Sequence, residues 1–167
     1  MLPRLLRGIS RKPNHFVCEV EADDLARLAE LHAQGFSRGW SDGELAKLMA
    51  NKAYFCLVMR PRGENNTQPV AFVLVRVAAE EAEIITIATH NRLRRSGFAR
   101  RLMEAVIRKL ESDRAKRLFL EVDENNKAAI SLYHQLGFKK ISERTAYYNG
   151  DGDNVPSSAL VMQRELG

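Results

Sequence analysis

Segment 84–99 combines an apolar strand pattern, a basic loop and the start of an amphipathic helix pattern. The first turn of the predicted helix contains Gly97 and Ala99, whose small side chains leave room for a bulky anion to reach the backbone. Free N–H groups and the helix dipole favour phosphate binding at such a turn. A tight strand-to-helix turn that uses glycine only for close packing is the alternative. The spacing predicts one or the other: a diphosphate site or a packed turn.

Basic residues are concentrated in the same segment, in a chain of formal net charge +5. Five arginines fall within ten positions, namely Arg92, Arg94, Arg95, Arg100 and Arg101. As charges alone they fit the phosphate of a small ligand, nucleic acid or a solvated helix face. Nucleic acid is not predicted, because the arginines coincide with the anion turn and no matching aromatic platform occurs elsewhere.

Glu121 is the candidate general base. Alternation along the predicted strand 117–122 places Leu120 and Val122 on one face of the sheet, and Phe119 with Glu121 on the other. A carboxylate in a strand is costly unless it is hydrogen-bonded, paired or near water. A glutamate simply exposed at the end of a strand is the alternative.

These residues lie on a predicted strand–helix–strand unit. Segment 82–89 has a strand pattern, Gly97 opens a long amphipathic helix, and strand 117–122 follows, which requires a parallel pair with a right-handed crossover. The other predicted elements are strands 16–20, 54–59, 70–77, 138–148 and 159–164, helix 24–34 capped by Asp23, a helix capped by Ser41, and helix 126–136 ended by Gly137. The sequence predicts an α/β fold with a mixed, mostly antiparallel sheet, a parallel β-α-β unit and helices on both faces.

Three polar side chains lie in apolar patterns. His32 is on the apolar stripe of helix 24–34 and is predicted to pack rather than to bind a metal or ligand. Cys18 and Cys56 lack partner spacing and are predicted to be buried free thiols, with a disulfide or metal pair as the alternative.

Two motifs resemble those of the GNAT superfamily of N-acetyltransferases. The run Arg94-Arg-Ser-Gly-Phe-Ala99 is similar to the acetyl-CoA signature R/Q-x-x-G-x-G/A, and segment 120–138 resembles the second signature of that superfamily. The second run, together with segments 36–41, 147–148 and 159–162, looks most like the ribosomal-protein-alanine N-acetyltransferases (RimI type). Departures include His90 and Asn91, where the family commonly has Asp or Pro.

The resemblance implies roles for particular residues. It places the pantetheine arm of acetyl-CoA along Ile87, Ala88 and Thr89, and the pyrophosphate on Arg94, Arg95, Ser96, Gly97, Phe98 and Ala99. It implies that Asn126 binds the cofactor arm, although a helix cap is the alternative. It makes Glu121 the proton acceptor and Tyr133 the acid that protonates the CoA sulfur, with core packing as the alternative for Tyr133. On the acceptor side, Trp40, Tyr147 and Tyr148 are predicted to clamp a peptide, although packing would also explain them.

The length of 167 residues predicts one acetyltransferase domain over residues 15–167, preceded by a basic tail over 1–14 that is disordered or packed at an edge. No apolar run approaches a membrane span, so a cytoplasmic protein is predicted, as a monomer or weak dimer. No metal is predicted, because Asp151-Gly-Asp-Asn154 begins like a calcium loop but Met162 occupies its twelfth position.

The predicted function is acetyl-CoA-dependent acetylation of a protein N-terminal α-amine, with the N-terminal alanine of a small ribosomal-subunit protein as the acceptor. The alternatives are acetylation of a lysine side chain or of a small-molecule amine, and a non-catalytic acyl-CoA sensor or nucleic-acid-binding module. The presence of both Glu121 and Tyr133 argues against a protein that only binds.

Overall fold

A mixed sheet with one parallel pair of strands forms the centre of the structure. The computed structural model describes residues 14–63, 68–145 and 158–167. These residues form seven strands: β1 (His15–Glu19), β2 (Tyr54–Pro61), β3 (Ala71–Ala78), β4 (Glu81–Thr89), β5 (Arg117–Asp123), β6 (Lys139–Arg144) and β7 (Ala159–Glu165). Their order is β1-β2-β3-β4-β5-β7-β6, and only β4 and β5 pair in parallel.

Four α-helices of the described residues cover the two faces of the sheet: α1 (Leu25–Ala33), α2 (Asp42–Met49), α3 (Phe98–Ser112) and α4 (Lys127–Gln135). Helices α1 and α2 contribute to one apolar cluster, whereas α3 and α4 contribute to the other. The predicted fold class is therefore confirmed, including the β-α-β unit formed by β4, α3 and β5. No helix of the described residues is long and apolar enough to span a lipid bilayer.

Strand β3 shows why the sheet needs helices on both faces. Ala71, Val73 and Val75 pack towards α3, and Phe72 with Leu74 packs towards α1. All five side chains are buried. A continuous apolar run rather than an alternating one is the pattern of a strand covered on both faces.

The caps of the first two helices differ. The capping box at Ser41 is present as predicted, since the Ser41 hydroxyl accepts a hydrogen bond from the Glu44 N–H at 3.1 Å. The prediction that Asp23 caps α1 is wrong, because a 3₁₀ turn over Ala22–Asp24 precedes the helix. The buried Asp24 carboxylate instead accepts from the Glu21 N–H at 2.7 Å and pairs with Arg60 at 2.5 Å.

Candidate active site

Strands β4 and β5 separate part of the way along their length. Their parallel pairing begins at Glu81 with Arg117 and ends at Ile84 with Leu120. Strand β4 continues to Thr89, still paired on its other edge with β3. In the part of the chain that the structure describes, the outer edge of β4 has no strand partner from residue 85 to residue 89. The peptide groups on that edge can therefore pair with an extended ligand inserted between the strands.

A β-bulge lies at the start of this gap. Leu74 of β3 pairs with Thr86 and the next residue, Val75, pairs with Ile84, so Ile85 is the extra residue. Bulges bend a strand and are common next to active sites. Here the bulge coincides with the start of the gap, because the last residue of β4 that pairs with β5 is Ile84. No sequence signal predicts it, because 84–89 has no glycine and has an ordinary strand composition.

Glu121 lies just beyond the end of the parallel ladder, on the sheet face that carries α1 and α2. Its neighbours Leu120 and Val122 belong to the apolar cluster on the opposite face. The Glu121 carboxylate forms an ion pair with Arg144 of β6 at 3.1 Å, and its side chain is 38% exposed. It is therefore open to solvent at the mouth of the gap. Arg144 was not predicted, because only the pairing of β6 with β7 brings it to this position.

An open pocket of about 270 Å³ lies on the same face as Glu121. Its polar lining consists of carboxylates and guanidinium groups, namely Arg76, Glu81, Glu83, Glu121 and Arg144. Arg76 pairs with Glu83 at 2.8 Å, which leaves few unbalanced charges in the pocket. The pocket lies over the paired part of β4 and β5, and Glu121 is the lining residue that lies just beyond the end of that pairing.

Tyr133 approaches from the other face of the sheet. It lies in α4, is 6% exposed, and packs in the same apolar cluster as Leu120 and Val122. Burial raises the pKa of Tyr133 to about 12, so the hydroxyl keeps its proton at neutral pH. The hydroxyl has no hydrogen-bond partner among the described residues. Glu121 and Tyr133 thus flank the gap from opposite faces, one exposed and one buried.

The predicted anion turn joins β4 to α3. Gly97 is the N-cap of α3, and its φ of 78° lies in the left-handed region. A Cβ added to Gly97 would meet no heavy atom within 4 Å, so the backbone here faces open space. Arg94, Arg95 and Ser96 are exposed, whereas Phe98 is buried. The first N–H groups of α3 are therefore accessible next to basic side chains, which is the chemistry that an anion requires.

Phe98 anchors this turn instead of facing a ligand. Its ring is 7% exposed and lies 4.6 Å from the ring centre of His15 in β1. The neighbouring Ala99 is half-buried. The resemblance places both residues at the pyrophosphate, and the structure leaves only their backbone groups in a position to contact it.

Asn126 is the N-cap of α4, and its side-chain carbonyl accepts a hydrogen bond from the Ala129 N–H at 3.2 Å. Asn126 therefore caps α4, which was the alternative to cofactor binding. The side-chain amide group is exposed and remains able to donate a hydrogen bond to a ligand.

Trp40 lies in the loop between α1 and α2 and is stacked on His32, with 4.7 Å between the ring centres. His32 is buried, as predicted for a packed residue. Tyr147, Tyr148 and the segment 151–154 lie outside the described residues. Cys18 and Cys56 are free thiols, as predicted, but only Cys56 is buried as expected, whereas Cys18 is half-buried.

Three comparisons with known proteins agree on the family. Residues 25–138 match the family described as Acetyltransferase (GNAT) family. A ribosomal protein bS18-alanine N-acetyltransferase of Haemophilus influenzae is 32% identical over 149 residues, which cover 87% of this chain and 98% of the relative.

Solved structures extend the likeness to the fold. The crystal structure of the ribosomal-protein-S18-alanine N-acetyltransferase from Escherichia coli matches with a TM-score of 0.79 and 27% identity, covering 91% of this chain and 94% of the other. NAA60 of Arabidopsis thaliana in complex with acetyl-CoA matches with a TM-score of 0.75 and 16% identity, covering 90% of this chain and 98% of the other, which shows the shared fold. The predicted resemblance is confirmed, and the chain belongs to the acetyltransferase (GNAT) family.

Proposed function

We propose that the protein transfers the acetyl group of acetyl-CoA to the N-terminal α-amine of a protein, with the N-terminal alanine of a small ribosomal-subunit protein as the acceptor. The observation that carries the proposal is the gap between β4 and β5, with an anion turn beyond the end of β4 and a proton-transfer candidate on each face. The relatives named as alanine N-acetyltransferases of a ribosomal protein support the choice of acceptor.

The chain has groups suited to both ends of acetyl-CoA. The exposed N–H groups at Gly97 and the side chains of Arg94 and Arg95 suit its pyrophosphate. The free edge of β4 over Ile87, Ala88 and Thr89 suits the amides of its pantetheine arm, and the Asn126 amide can add a donor. When bound in this way, acetyl-CoA supplies the thioester whose carbonyl carbon receives the amine.

Proton transfer is divided between the two faces of the sheet. Glu121 accepts a proton from the acceptor ammonium, which enters from the open face. Arg144 holds the carboxylate in place through the 3.1 Å ion pair. Tyr133 donates its hydroxyl proton to the sulfur that leaves when the C–N bond forms and the C–S bond breaks. Two protons leave the acceptor nitrogen, one when the ammonium becomes an amine and one when the C–N bond forms, and each passes through Glu121 to solvent. Tyr133 regains one proton from solvent and the other is released, so the cycle is balanced.

A partly exposed carboxylate can complete the deprotonation of an α-amine more easily than that of a lysine side chain. At pH 7 about a tenth of α-amines are neutral, against well under a thousandth of lysine side chains, because their pKa values are near 7.7–8.0 and 10.4. Glu121 is paired and in contact with solvent, and the described residues around it do not form the dry apolar pocket that would strongly favour neutral lysine.

Two peptides that differ only in their first residue test the acceptor. Both copy the N-terminal sequence of a small ribosomal-subunit protein, and one begins with alanine whereas the other begins with leucine. We expect mass spectrometry to show faster acetylation of the alanine peptide in the presence of acetyl-CoA. Equal rates for the two peptides, or no transfer to either, would contradict the proposal.

A further inference from the structure

Two rings of the loop that joins α1 to α2 are stacked on a histidine at the end of α1. The His32 imidazole lies between Phe36 and Trp40, with ring centres 4.2 Å and 4.7 Å apart and interplanar angles of 10° and 11°. The backbone N–H of Trp40 donates a hydrogen bond to Nδ1 of His32 at 3.1 Å. His32 is 3% exposed, whereas Phe36 is 44% exposed. The histidine is thus the inner member of a stack that extends to the surface.

The hydrogen bond requires a neutral imidazole. A backbone N–H can only donate, so Nδ1 must be the acceptor and the ring proton lies on Nε2. Protonation of Nδ1 would remove the acceptor and place two donors opposite each other. Burial lowers the pKa of His32 and so keeps the ring neutral at physiological pH.

The same loop also contacts the predicted cofactor turn. The Gln34 side chain accepts a hydrogen bond from the Asn91 N–H at 3.1 Å, and a Cβ on Gly35 would lie 3.6 Å from the guanidinium of Arg94. At its other end the loop passes into the capping box at Ser41. The loop is therefore held at both ends, and the contact between His32 and Trp40 ties the residue before Ser41 back to α1.

We propose that His32 is a positioning residue that holds Trp40 in the orientation that binds the acceptor peptide. This role rests on the proposed function and on the acceptor binding that the family resemblance predicts for Trp40. Neutral His32 fixes the indole through one stacked face and one hydrogen bond to its backbone. Loss of either contact weakens acceptor binding and leaves the acetyl-CoA site intact.

No ion pair or hydrogen bond joins His32 to a charged group of the described residues. The titratable or charged groups on the elements around it are Arg27 and Glu30 on α1, Arg38 in the loop, Asp42, Glu44 and Lys47 on α2, and His90, Arg92 and Arg94 before α3. The sheet beneath α1 presents Phe72, Leu74 and Ala88 to this cluster. Burial is the only cause of the lowered pKa of His32, so the imidazole titrates without a charged partner.

Trp40 is the only tryptophan in the chain, so intrinsic fluorescence reports on this loop directly. An imidazolium in contact with an indole quenches its emission. We expect the emission of the free protein to fall on acidification, with an apparent pKa below that of an ordinary histidine. This pH dependence of the Trp40 emission should disappear in His32→Phe. It should remain in the control His134→Gln, which alters a histidine on α4 and keeps both Trp40 and His32. A titration that persists in His32→Phe would overturn the proposal.

Two substitutions separate the ring from the nitrogen. His32→Phe keeps a stacked ring but has no acceptor, and His32→Asn keeps an acceptor near the position of Nδ1 but has no ring. We expect His32→Phe to raise the peptide KM about fivefold to tenfold, since one hydrogen bond and part of the loop order are lost. His32→Asn should restore part of that loss and should show no pH dependence of the peptide KM between pH 5 and pH 7.

The value of kcat and the KM for acetyl-CoA should stay within about twofold of the parent in both variants, because the cofactor contacts are unchanged. An unchanged peptide KM in His32→Phe, or an equal fall of kcat in both variants, would overturn the positioning role. If the parent acetylates no peptide, the proposed function fails. The fluorescence titration still decides whether His32 holds the loop.

Discussion

Replacement of Gly97 by alanine tests the anion turn with the smallest possible change. Gly97 has a φ of 78°, and a Cβ there would meet nothing within 4 Å. The new methyl group therefore causes no clash within the protein, and its cost comes from the left-handed backbone. That cost is about 1–2 kcal/mol for a residue with a Cβ. For a chain of this size the expected fall in Tm is roughly 2–8 °C.

The methyl group should have a second effect that appears only with ligand. It projects into the open space from which a pyrophosphate would approach the first N–H groups of α3. At a concentration of 100 times Kd, acetyl-CoA stabilises a protein by about 2.7 kcal/mol, and a tenfold weaker Kd reduces this to about 1.4 kcal/mol. We therefore expect Gly97→Ala to lose about half of the Tm increase that acetyl-CoA causes in the parent.

Gly137→Ala is the matched control. Gly137 has a φ of 84° and lies just after α4, where a Cβ would come 3.3 Å from the guanidinium of Arg164. Thermal unfolding with and without acetyl-CoA should show a similar loss of Tm for both variants but an unchanged ligand effect for Gly137→Ala. If both variants keep the full acetyl-CoA shift, the pyrophosphate does not bind at Gly97 and the placement is refuted.

Further predictions concern proton transfer and pH. Tyr133→Phe should fold with a Tm near that of the parent, because the hydroxyl has no hydrogen-bond partner among the described residues, yet kcat should fall about 10²–10⁴-fold; a kcat within twofold would make Tyr133 structural. Since the pKa of Tyr133 is about 12, kcat measured up to pH 10 should show no loss from its ionisation. Glu121→Gln should lower kcat by a similar factor with a smaller change in peptide KM, and an unchanged kcat would exclude it as the base. Because the pKa of His32 is lower in the folded protein than in the unfolded chain, acidification protonates this imidazole in the unfolded chain before it does so in the folded protein. The free energy of unfolding, measured with denaturant, should therefore fall as the pH drops below about 6.5, and it should fall less in His32→Phe.

The elements that carry periodic apolar patterns could be predicted from the sequence. The apolar spacing after Gly97 predicts helix α3, and the crossover requirement predicts the parallel pairing of β4 with β5. The cap at Ser41 could also be predicted, because a capping box is local in sequence. Each of these features depends on residues a few positions apart or on a general rule of chain connection.

The features that sequence reasoning missed depend on distant residues. Asp23 has the sequence context of a cap for α1, but Asp24 forms a buried pair with Arg60 of β2, and no local pattern indicates that pairing. The separation of β4 from β5 begins at the bulge at Ile85, and the position of that bulge depends on the register against β3. Likewise, Arg144 reaches Glu121 only because β7 lies between β5 and β6.

Competition between two peptides of one sequence tests the central claim most directly. One peptide has a free N-terminus and no lysine, and the other has a blocked N-terminus and a single lysine. Both are incubated together with the protein and acetyl-CoA, and the two products are followed by mass spectrometry. Faster acetylation of the peptide with the free N-terminus is the predicted result, because far more of its amine is neutral at pH 7. Faster acetylation of the blocked peptide would contradict the assignment of the α-amine as acceptor.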